Sequence, residues 1–324
     1  MPDSFIYANG RISGKENTLL DNRMWQMLMS AQNEEEVLRF LGDTWYGGFM
    51  QHHSLEGCFI NAMKVTEEEL IELSEDDRLV RGIIHRRDVR NARYIWKNLL
   101  SGQKSPVEIE VERPGLISVD ILEKAVQSAE AREELPGLFR KTLEELLETE
   151  GISGAALDRS MDNLAAEVEY EELPRISSGF RTFVMTGLEQ KNFLTAGRCS
   201  SAGTSKHDVQ ELLLHGGYHS KEEIAEAYQR KTLPPLIAET PGFEEPARAF
   251  AEALDSGSFF AFEKECDKQL LELLEKGAFP VFGPSPLAAF VIRREMEIKH
   301  LKLLVAAKTA GVDSSRLQER LPRG

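Results

Sequence analysis

The sequence predicts an all-α fold, and three observations support it. Apolar residues recur at helical spacing in most segments of the 324-residue chain. Alternation at a period of two is confined to residues 107–112 (VEIEVE), which prolines and a glycine bound and which we interpret as an extended connector. Finally, one pattern of residues recurs three times along the chain, which predicts how the helices are grouped.

Two amphipathic helices are predicted in the middle and late parts of the chain. Residues 139–150 place Phe139, Leu143, Leu146 and Leu147 at i, i+4, i+7 and i+8, which is one helical stripe. Residues 268–276 carry a second stripe of leucines at 270, 271, 273 and 274. Gly277 follows that run as a stop signal.

The longest predicted helix covers residues 286–310. Ser285 can cap its N-terminus, Pro286 suits the first helical position, and Gly311 ends the helix. Its broad apolar stripe consists of Leu287, Phe290, Val291, Ile298, Leu301, Leu304 and Val305.

The threefold pattern is an acid, an amide or imidazole three residues later, and a glycine fourteen residues after the acid. Its members are Asp88, Asn91 and Gly102, then Glu189, Asn192 and Gly203, then Glu297, His300 and Gly311. Residues i and i+3 share a helix face, so the acid and the amide can bond a neighbouring helix end or backbone. The glycine supplies a left-handed helix C-cap.

Features that flank the pattern also recur. Leu20-Asp21, Leu157-Asp158 and Cys266-Asp267 each open a helical run ahead of an acid, and residues 115–118 (GLIS) resemble residues 217–220 (GYHS). We therefore predict three similar helical-bundle domains around a pseudo-threefold axis. Their bounds are 1–117, with an insertion, 118–219 and 220–324.

Composition excludes several classes of protein. Lys+Arg total 39 and Asp+Glu 54, so the net charge of 39 − 54 = −15 disfavours binding of nucleic acid or anionic lipid along a broad face. No stretch reaches the roughly 18 apolar residues of a membrane-spanning helix, and no signal peptide is evident. Cys58, Cys199 and Cys266 form neither a disulfide framework nor a CxxC site, which fits a reducing compartment and predicts a cytoplasmic protein.

No catalytic, cofactor or metal site is predicted. Residues 10–15 (GRISGK) resemble a phosphate loop but lack its spacing and its Ser or Thr. His52-His53 and the pair His215 and His219 lack the further ligands of a metal site, and we interpret them as surface or capping residues. The carboxylates, as in residues 34–38 and 67–77, are interpreted as solvated helix faces.

The two ends of the chain resemble one family. Residues 283–290 (GPSPLAAF), 294–301 (REMEIKHL) and 308–311 (KTAG) are similar to the C subunit of the prokaryotic V-type (archaeal-type) ATP synthases, which is equivalent to the d subunit of the eukaryotic vacuolar ATPase. Residues 7–20 and 43–46 (DTWY) resemble that family's opening segments. His300 stands where asparagine is common, and Asn9-Gly10 replaces a pair that favours a helix more strongly.

The resemblance implies a non-catalytic rotor subunit without a cofactor. In the family, a funnel of three pseudo-equivalent helical domains sits on the membrane's proteolipid (c/K) ring and receives the lower end of the shaft, which the D and F subunits form. The resemblance thus implies peripheral attachment at the cytoplasmic face and transmission of torque between ATP turnover and H⁺ or Na⁺ transport. Direct membrane insertion and nucleic-acid binding are not expected.

Two other classes of function stay open at the level of residue patterns. An α-helical adaptor or scaffold unrelated to ion pumping fits the periodicity equally well but does not explain the C-terminal block. A hydrolase that uses an unrecognised carboxylate pair is the third interpretation. The coupled ion and the direction of ATP turnover are not encoded in this chain's residue patterns.

Overall fold

The computed structural model describes residues 5–50, 54–100, 115–149, 151–275 and 283–312, with Leu317 and Leu321. Every regular element in these ranges is an α-helix or a 3-10 helix, and none is a strand, so the predicted all-α fold is confirmed. The connector predicted at 107–112, Gly102, His52-His53 and the stop signal Gly277 lie outside the described residues.

Helices follow one another with short connections along the described ranges. The α-helices are α1 Ile6–Lys15, α2 Asn22–Ser30, α3 Glu34–Gly42, α4 Leu55–Leu73, α5 Asp77–Leu100, α6 Val119–Gln127, α7 Ala129–Glu133, α8 Gly137–Glu148, α9 Gly154–Glu172, α10 Ser178–Ala202, α11 Lys206–Leu212, α12 Lys221–Arg230, α13 Leu233–Glu239, α14 Glu244–Ser256, α15 Phe260–Glu275 and α16 Ser285–Thr309. The 3-10 helices are Glu16–Thr18, Trp45–Phe49 and Leu173–Arg175.

The chain divides into two compact units. Unit 1 comprises Met1–Glu75, Glu189–Leu213 and Tyr218–Gly324, and unit 2 comprises Asp76–Leu188 and Leu214–Gly217. The three domains at 1–117, 118–219 and 220–324 stay a prediction. Both ends of the chain belong to unit 1.

In unit 2, α5 packs along α9, and α6 and α8 cover the apolar side of this pair. Trp96, Phe139 and Met161 are buried in the core between them. On the polar side, Lys97 Nζ lies 2.7 Å from Asp158 Oδ2, and Arg93 pairs with Asp162.

The helix predicted at 139–150 is α8, in which Phe139, Leu143 and Leu146 are buried. Leu147 is exposed because it lies about 80° around the helix from Phe139.

In unit 1, a core of aromatic rings is packed among α10, α14 and α15 and contains Phe193, Phe243, Phe250 and Phe262. The last helix, α16, is buried on most of its surface because α1, α3, α4 and α15 all contact it. Of its predicted stripe, Val305 alone is half-buried rather than buried.

Some sequence expectations about helix ends were wrong. Ser285 is the first residue of α16 rather than its cap, because Pro284 occupies the N-cap position. Asp158 and Asp267 lie inside α9 and α15 and do not open them.

One sequence expectation about burial was also wrong. Glu67, expected on a solvated face, is only 6% exposed, since it lies on the inner side of α4.

Candidate functional site: three carboxylate clasps

The three repeated acids lie on the three long helices α5, α10 and α16. Asp88 and Glu189 are 0% exposed and Glu297 is 6% exposed. Each carboxylate accepts a hydrogen bond from the backbone N–H of the residue just before the N-cap of another helix. We call the arrangements around Asp88, Glu189 and Glu297 clasp 1, clasp 2 and clasp 3.

Clasp 1 fixes the loop that leads into α6. Asp88 Oδ1 accepts from the N–H of Ile117 (3.1 Å), and Oδ2 accepts from the N–H of Leu116 (3.2 Å). Ser118 follows as the N-cap and accepts from the third residue of α6. His85, one turn before Asp88, places Nδ1 2.7 Å from Oδ2. The buried carboxylate is thus surrounded by donors.

Gly115 permits the close approach of this loop to α5. A Cβ built at position 115 would lie within 2.6 Å of Asp88 Cγ and nearer still to Oδ1. Real Cβ atoms do not approach other atoms so closely, so no side chain fits here. In clasp 2, Gly217 precedes the corresponding residues and has φ +103°, a conformation that glycine adopts readily.

Clasp 2 repeats this arrangement at the start of α12. Glu189 Oε2 accepts from the N–H of Tyr218 (3.0 Å) and of His219 (3.4 Å). The His219 ring bonds Glu189 Oε1 through Nδ1. Ser220 then caps α12 in a capping box with Glu223. The hydrogen bond to Glu189 raises the pKa of His219, and this effect outweighs the burial that lowers it.

Clasp 3 differs in where its partners come from. Glu297 Oε2 accepts from the N–H of Leu20 (2.6 Å), and Asp21 caps α2. Oε1 accepts from the Tyr46 hydroxyl (2.7 Å) and from Arg294 Nη1 (2.6 Å). Burial, followed by the charge of Glu297, raises the pKa of Tyr46 well above its ordinary value. Tyr46 therefore remains a hydrogen-bond donor to the carboxylate.

Arg294 is the cation of clasp 3 and is fully buried. Its Nη1 also donates to the Thr18 carbonyl (3.0 Å), and its guanidinium carbon lies 4.1 Å from the centroid of the Trp45 ring. Stacking on an aromatic face suits the weakly hydrated guanidinium. The N-terminal segment thus encloses the Arg294–Glu297 ion pair of the last helix and hydrogen-bonds to both of its members.

The clasps differ greatly in the sequence distance that they join. The backbone N–H groups in clasps 1 and 2 follow their acids by 28 to 30 residues, whereas Leu20 precedes Glu297 by 277 residues. The N-terminal segment therefore does for α16 what the loop after α5 does for α5 and the loop after α10 does for α10: it donates a backbone N–H to the buried acid.

The other repeat positions have less uniform surroundings. Asn91 is half-buried on α5, and Asn192 is buried on α10. His300 Nε2 lies 3.1 Å from Asp267 Oδ2. Burial raises the pKa of Asp267, but the hydrogen bond from His300 and the charge of Lys299 outweigh that effect and lower it.

The repeat glycines within the described residues have the left-handed conformation. Gly203 has φ +67° and Gly311 has φ +68°. The N–H of the following residue bonds back to the carbonyl five residues earlier, from Thr204 to Cys199 (3.4 Å) and from Val312 to Ala307 (2.8 Å). This pattern is a Schellman C-cap.

Sequence reasoning missed the donors of the clasps. His85 carried no recognised pattern, Tyr46 and Arg294 were noted only as parts of the blocks that resemble the family, and His219 was interpreted as a surface or capping residue. The resemblance of residues 115–118 to 217–220 was the usable signal, because both segments end in an N-cap serine. Asp21 has the same role in clasp 3, so its counterparts are Ser118 and Ser220 rather than Asp158 and Asp267.

Several of the residues considered for chemistry lie in the described part of the chain, where the structure gives their surroundings. Residues 10–15 lie inside helix α1, so they do not form a phosphate loop. Across the described ranges, no group of three or more His, Cys, Asp or Glu side chains could hold a metal ion. Burial raises the pKa of the Cys58 thiol to about 11, so this thiol stays protonated. The three buried clasp carboxylates are all engaged by donors.

Two grooves in unit 1 carry an excess of acidic side chains. The first has a volume of about 450 Å³, lies between α12 and α13, and is lined by Glu222, Glu223, Glu226 and Glu239 with Arg230 as its cation. The second has a volume of about 820 Å³ and is lined by four acids, Glu16, Asp21, Glu272 and Glu275, and by two cations, Lys268 and Arg293. Both grooves suit a partner of positive charge better than one of negative charge.

The sequence of the chain matches one protein family along almost its whole length. The model of the ATP synthase (C/AC39) subunit family matches residues 8–320. The chain belongs to this family. Within the described residues, none of the helices has the length and apolarity needed to cross a membrane.

Three archaeal relatives are similar over nearly the whole chain, and each is named as the C subunit of an A-type ATP synthase. The protein of Methanothermobacter thermautotrophicus is 22% identical, over 94% of this chain and 84% of its own length. That of Methanocaldococcus jannaschii is 23% identical, over 98% and 86%. That of Pyrococcus abyssi is 23% identical, over 97% and 89%. As a family member, the chain is a subunit of a V/A-type ATP synthase.

Proposed function

We propose that the chain is a non-catalytic rotor subunit of the central stalk. It links the membrane's proteolipid (c/K) ring to the shaft, formed by the D and F subunits, and transmits torque between ATP turnover and H⁺ or Na⁺ transport. The family match over residues 8–320 carries this proposal. The location that follows is the cytoplasmic face of the membrane, where the chain is attached peripherally.

The clasps support a mechanical role. Each one ties a long helix to the start of another helix through a buried, charge-assisted hydrogen bond. Hydrogen bonds to charged groups each contribute about 1.5–3 kcal/mol, and they hold donor and acceptor in a fixed direction. A coupling element must deform little under load, and buried cross-links of this kind resist relative sliding of helices.

We also propose that the clasps mark three equivalent modules. The first runs from α5 to α9, the second from α10 to α15, and the third combines α16 with α1 to α4. In support, α5 packs on α9 and α16 packs on α4. From α10, Arg198 pairs with Glu263 of α15 at 2.9 Å. On this grouping, module boundaries lie near residues 76 and 177 rather than near 117 and 219.

The acidic grooves suggest how the shaft is held. With a net charge of −15 and grooves rich in glutamate, a socket of this chain would attract a basic shaft tip. Such attraction is screened by salt, because the Debye length falls to about 3 Å at 1 M. We expect shaft affinity to fall as the salt concentration rises. An affinity that salt does not change would contradict an acidic socket.

The experiment that tests the rotor role is recovery of partners from solubilised membranes. Tagged chain is expected to bring down the proteolipid ring together with the shaft subunits, identified by mass spectrometry. Recovery with unrelated soluble proteins would indicate an adaptor and would overturn the proposal. As a control, the same tag on an unrelated acidic protein should recover neither ring nor shaft.

A further inference from the structure

A small chamber lies beside clasp 3 in unit 1. Its volume is about 10 Å³, and it is lined by Leu19, Trp25, Leu271, Arg293, Glu297 and His300. A space of about 10–15 Å³ is the smallest that holds one water molecule. The chamber is therefore large enough for one water and too small for anything larger.

The lining includes hydrogen-bonding groups without a partner. Trp25 is only 1% exposed, yet its indole Nε1 has no acceptor among the described residues. Arg293 Nε is likewise buried and without an acceptor in that part of the chain, although its Nη1 reaches Glu16. Buried donors of this kind are rare in folded proteins, and an ordered water is a common partner for them.

An acceptor for a water's own protons also lines the chamber. Of the roughly four acceptor positions of the Glu297 carboxylate, Tyr46 and Arg294 use two on Oε1, and Leu20 uses one on Oε2. One position on Oε2 stays available. A molecule in the chamber can thus accept from Trp25 and Arg293 and donate to Glu297.

We propose that the chamber is a binding site for one water molecule that completes clasp 3. Three hydrogen bonds are the usual number for a buried water. A cation is excluded by the guanidinium of Arg293, and an anion by the carboxylate of Glu297. The water joins Trp25 of α2 to two residues of α16, so it adds a further link between the N-terminal segment and the last helix. This site is independent of the proposed rotor role.

The route by which the water enters is also indicated. Leu19, Leu271 and Arg293 line both the chamber and the groove of about 820 Å³ beside it. Because these shared side chains border both spaces, a local displacement of them would admit water, and the site is expected to fill without global unfolding of the chain.

Nuclear magnetic resonance of the intact chain tests the proposal, with one tryptophan as an internal control. Trp96 is as buried as Trp25, but its Nε1 donates to the Leu122 carbonyl at 3.0 Å. The indole proton of Trp25 is expected to show a cross-relaxation peak to water, and that of Trp96 is not. Trp25→Phe, which keeps an aromatic ring and removes the donor, assigns the signal by its loss. If that variant does not fold, Trp45→Phe and Trp96→Phe assign it by elimination.

A crystal structure of the chain gives a second and independent result. Electron density for one water within hydrogen-bonding distance of both Trp25 Nε1 and Glu297 is expected. An empty chamber, a protein acceptor for Trp25 Nε1, or identical behaviour of Trp25 and Trp96 toward water would overturn the proposal.

Discussion

Replacing Gly115 with alanine should open clasp 1. The added Cβ would lie within 2.6 Å of Asp88 Cγ, in a carboxylate that is 0% exposed and has no room to retreat. Either the carboxylate or the loop must move. Both movements lengthen the hydrogen bonds that the N–H groups of Leu116 and Ile117 donate to Asp88, now 3.2 and 3.1 Å.

The size of the effect follows from those two bonds. Each hydrogen bond to a charged acceptor contributes about 1.5–3 kcal/mol, so losing both, with partial compensation by water, costs about 3 kcal/mol. Since 1.4 kcal/mol corresponds to a factor of ten, the opening equilibrium of the loop rises by about 100-fold. The change acts locally, so it is best measured as hydrogen exchange at these amides.

The assay is hydrogen–deuterium exchange of the segment from residue 115 to the first turn of α6. Gly137→Ala is the matched control, because a Cβ at the start of α8 meets nothing within 4 Å and the site belongs to the same unit. In that control, exchange of the clasp segment should not change. If Gly115→Ala left exchange as slow as Gly137→Ala does, the reasoning about the clasp would be refuted.

Three further predictions concern clasps 2 and 3. Arg294→Met leaves the buried Glu297 without its cation and should destabilise unit 1 by about 3–5 kcal/mol, measured by urea denaturation. The control Lys302→Met removes an exposed ion pair with Glu56 and should cost less than about 1 kcal/mol. Equal effects of the two variants would contradict the importance of the buried Arg294–Glu297 pair. Glu297→Gln should speed amide hydrogen exchange in α2 as well as in α16, because Glu297 accepts from the N–H of Leu20 at the start of α2. Faster exchange confined to residues 220–324 would instead favour the domain bounds predicted from sequence. Since the pKa of His219 is raised in the folded chain, its bond to Glu189 adds stability that is full below about pH 6.5 and is lost as pH rises through the folded pKa. Protection of α12, corrected for intrinsic exchange, should therefore fall with rising pH, and His219→Gln should abolish this dependence; an unchanged pH profile in the variant would exclude His219 as the cause.

Much of the helical architecture was predictable from periodicity. Stripes such as Phe139, Leu143 and Leu146 bury one side of a helix, and burial of that kind imposes the spacing that the sequence displays. The acids of the repeat were also found, because a fixed spacing between acid, amide and glycine recurs in helices of similar length. Helix boundaries were less accurate, as the cap assigned to Ser285 shows.

The partners of the acids were not predictable in the same way. A buried carboxylate such as Glu297 accepts from backbone N–H groups, which every residue type but proline carries, so the contact leaves no residue signature. Clasp 3 is formed by segments at opposite ends of the sequence. In a search that follows chain order, Asp21 was therefore matched with Asp158 and Asp267, which precede their acids. Its structural counterparts are the N-caps Ser118 and Ser220, which follow their acids.

Ion transport by the assembled complex tests the central claim most directly. Complexes prepared with and without this chain would be placed in vesicles, and ATP hydrolysis and ion uptake would be measured together. We predict that omitting the chain leaves ATP hydrolysis by the catalytic sector but abolishes ion uptake, and that adding the chain back restores it. Ion uptake at an unchanged rate per ATP in the absence of the chain would contradict its role as the coupling between shaft and ring.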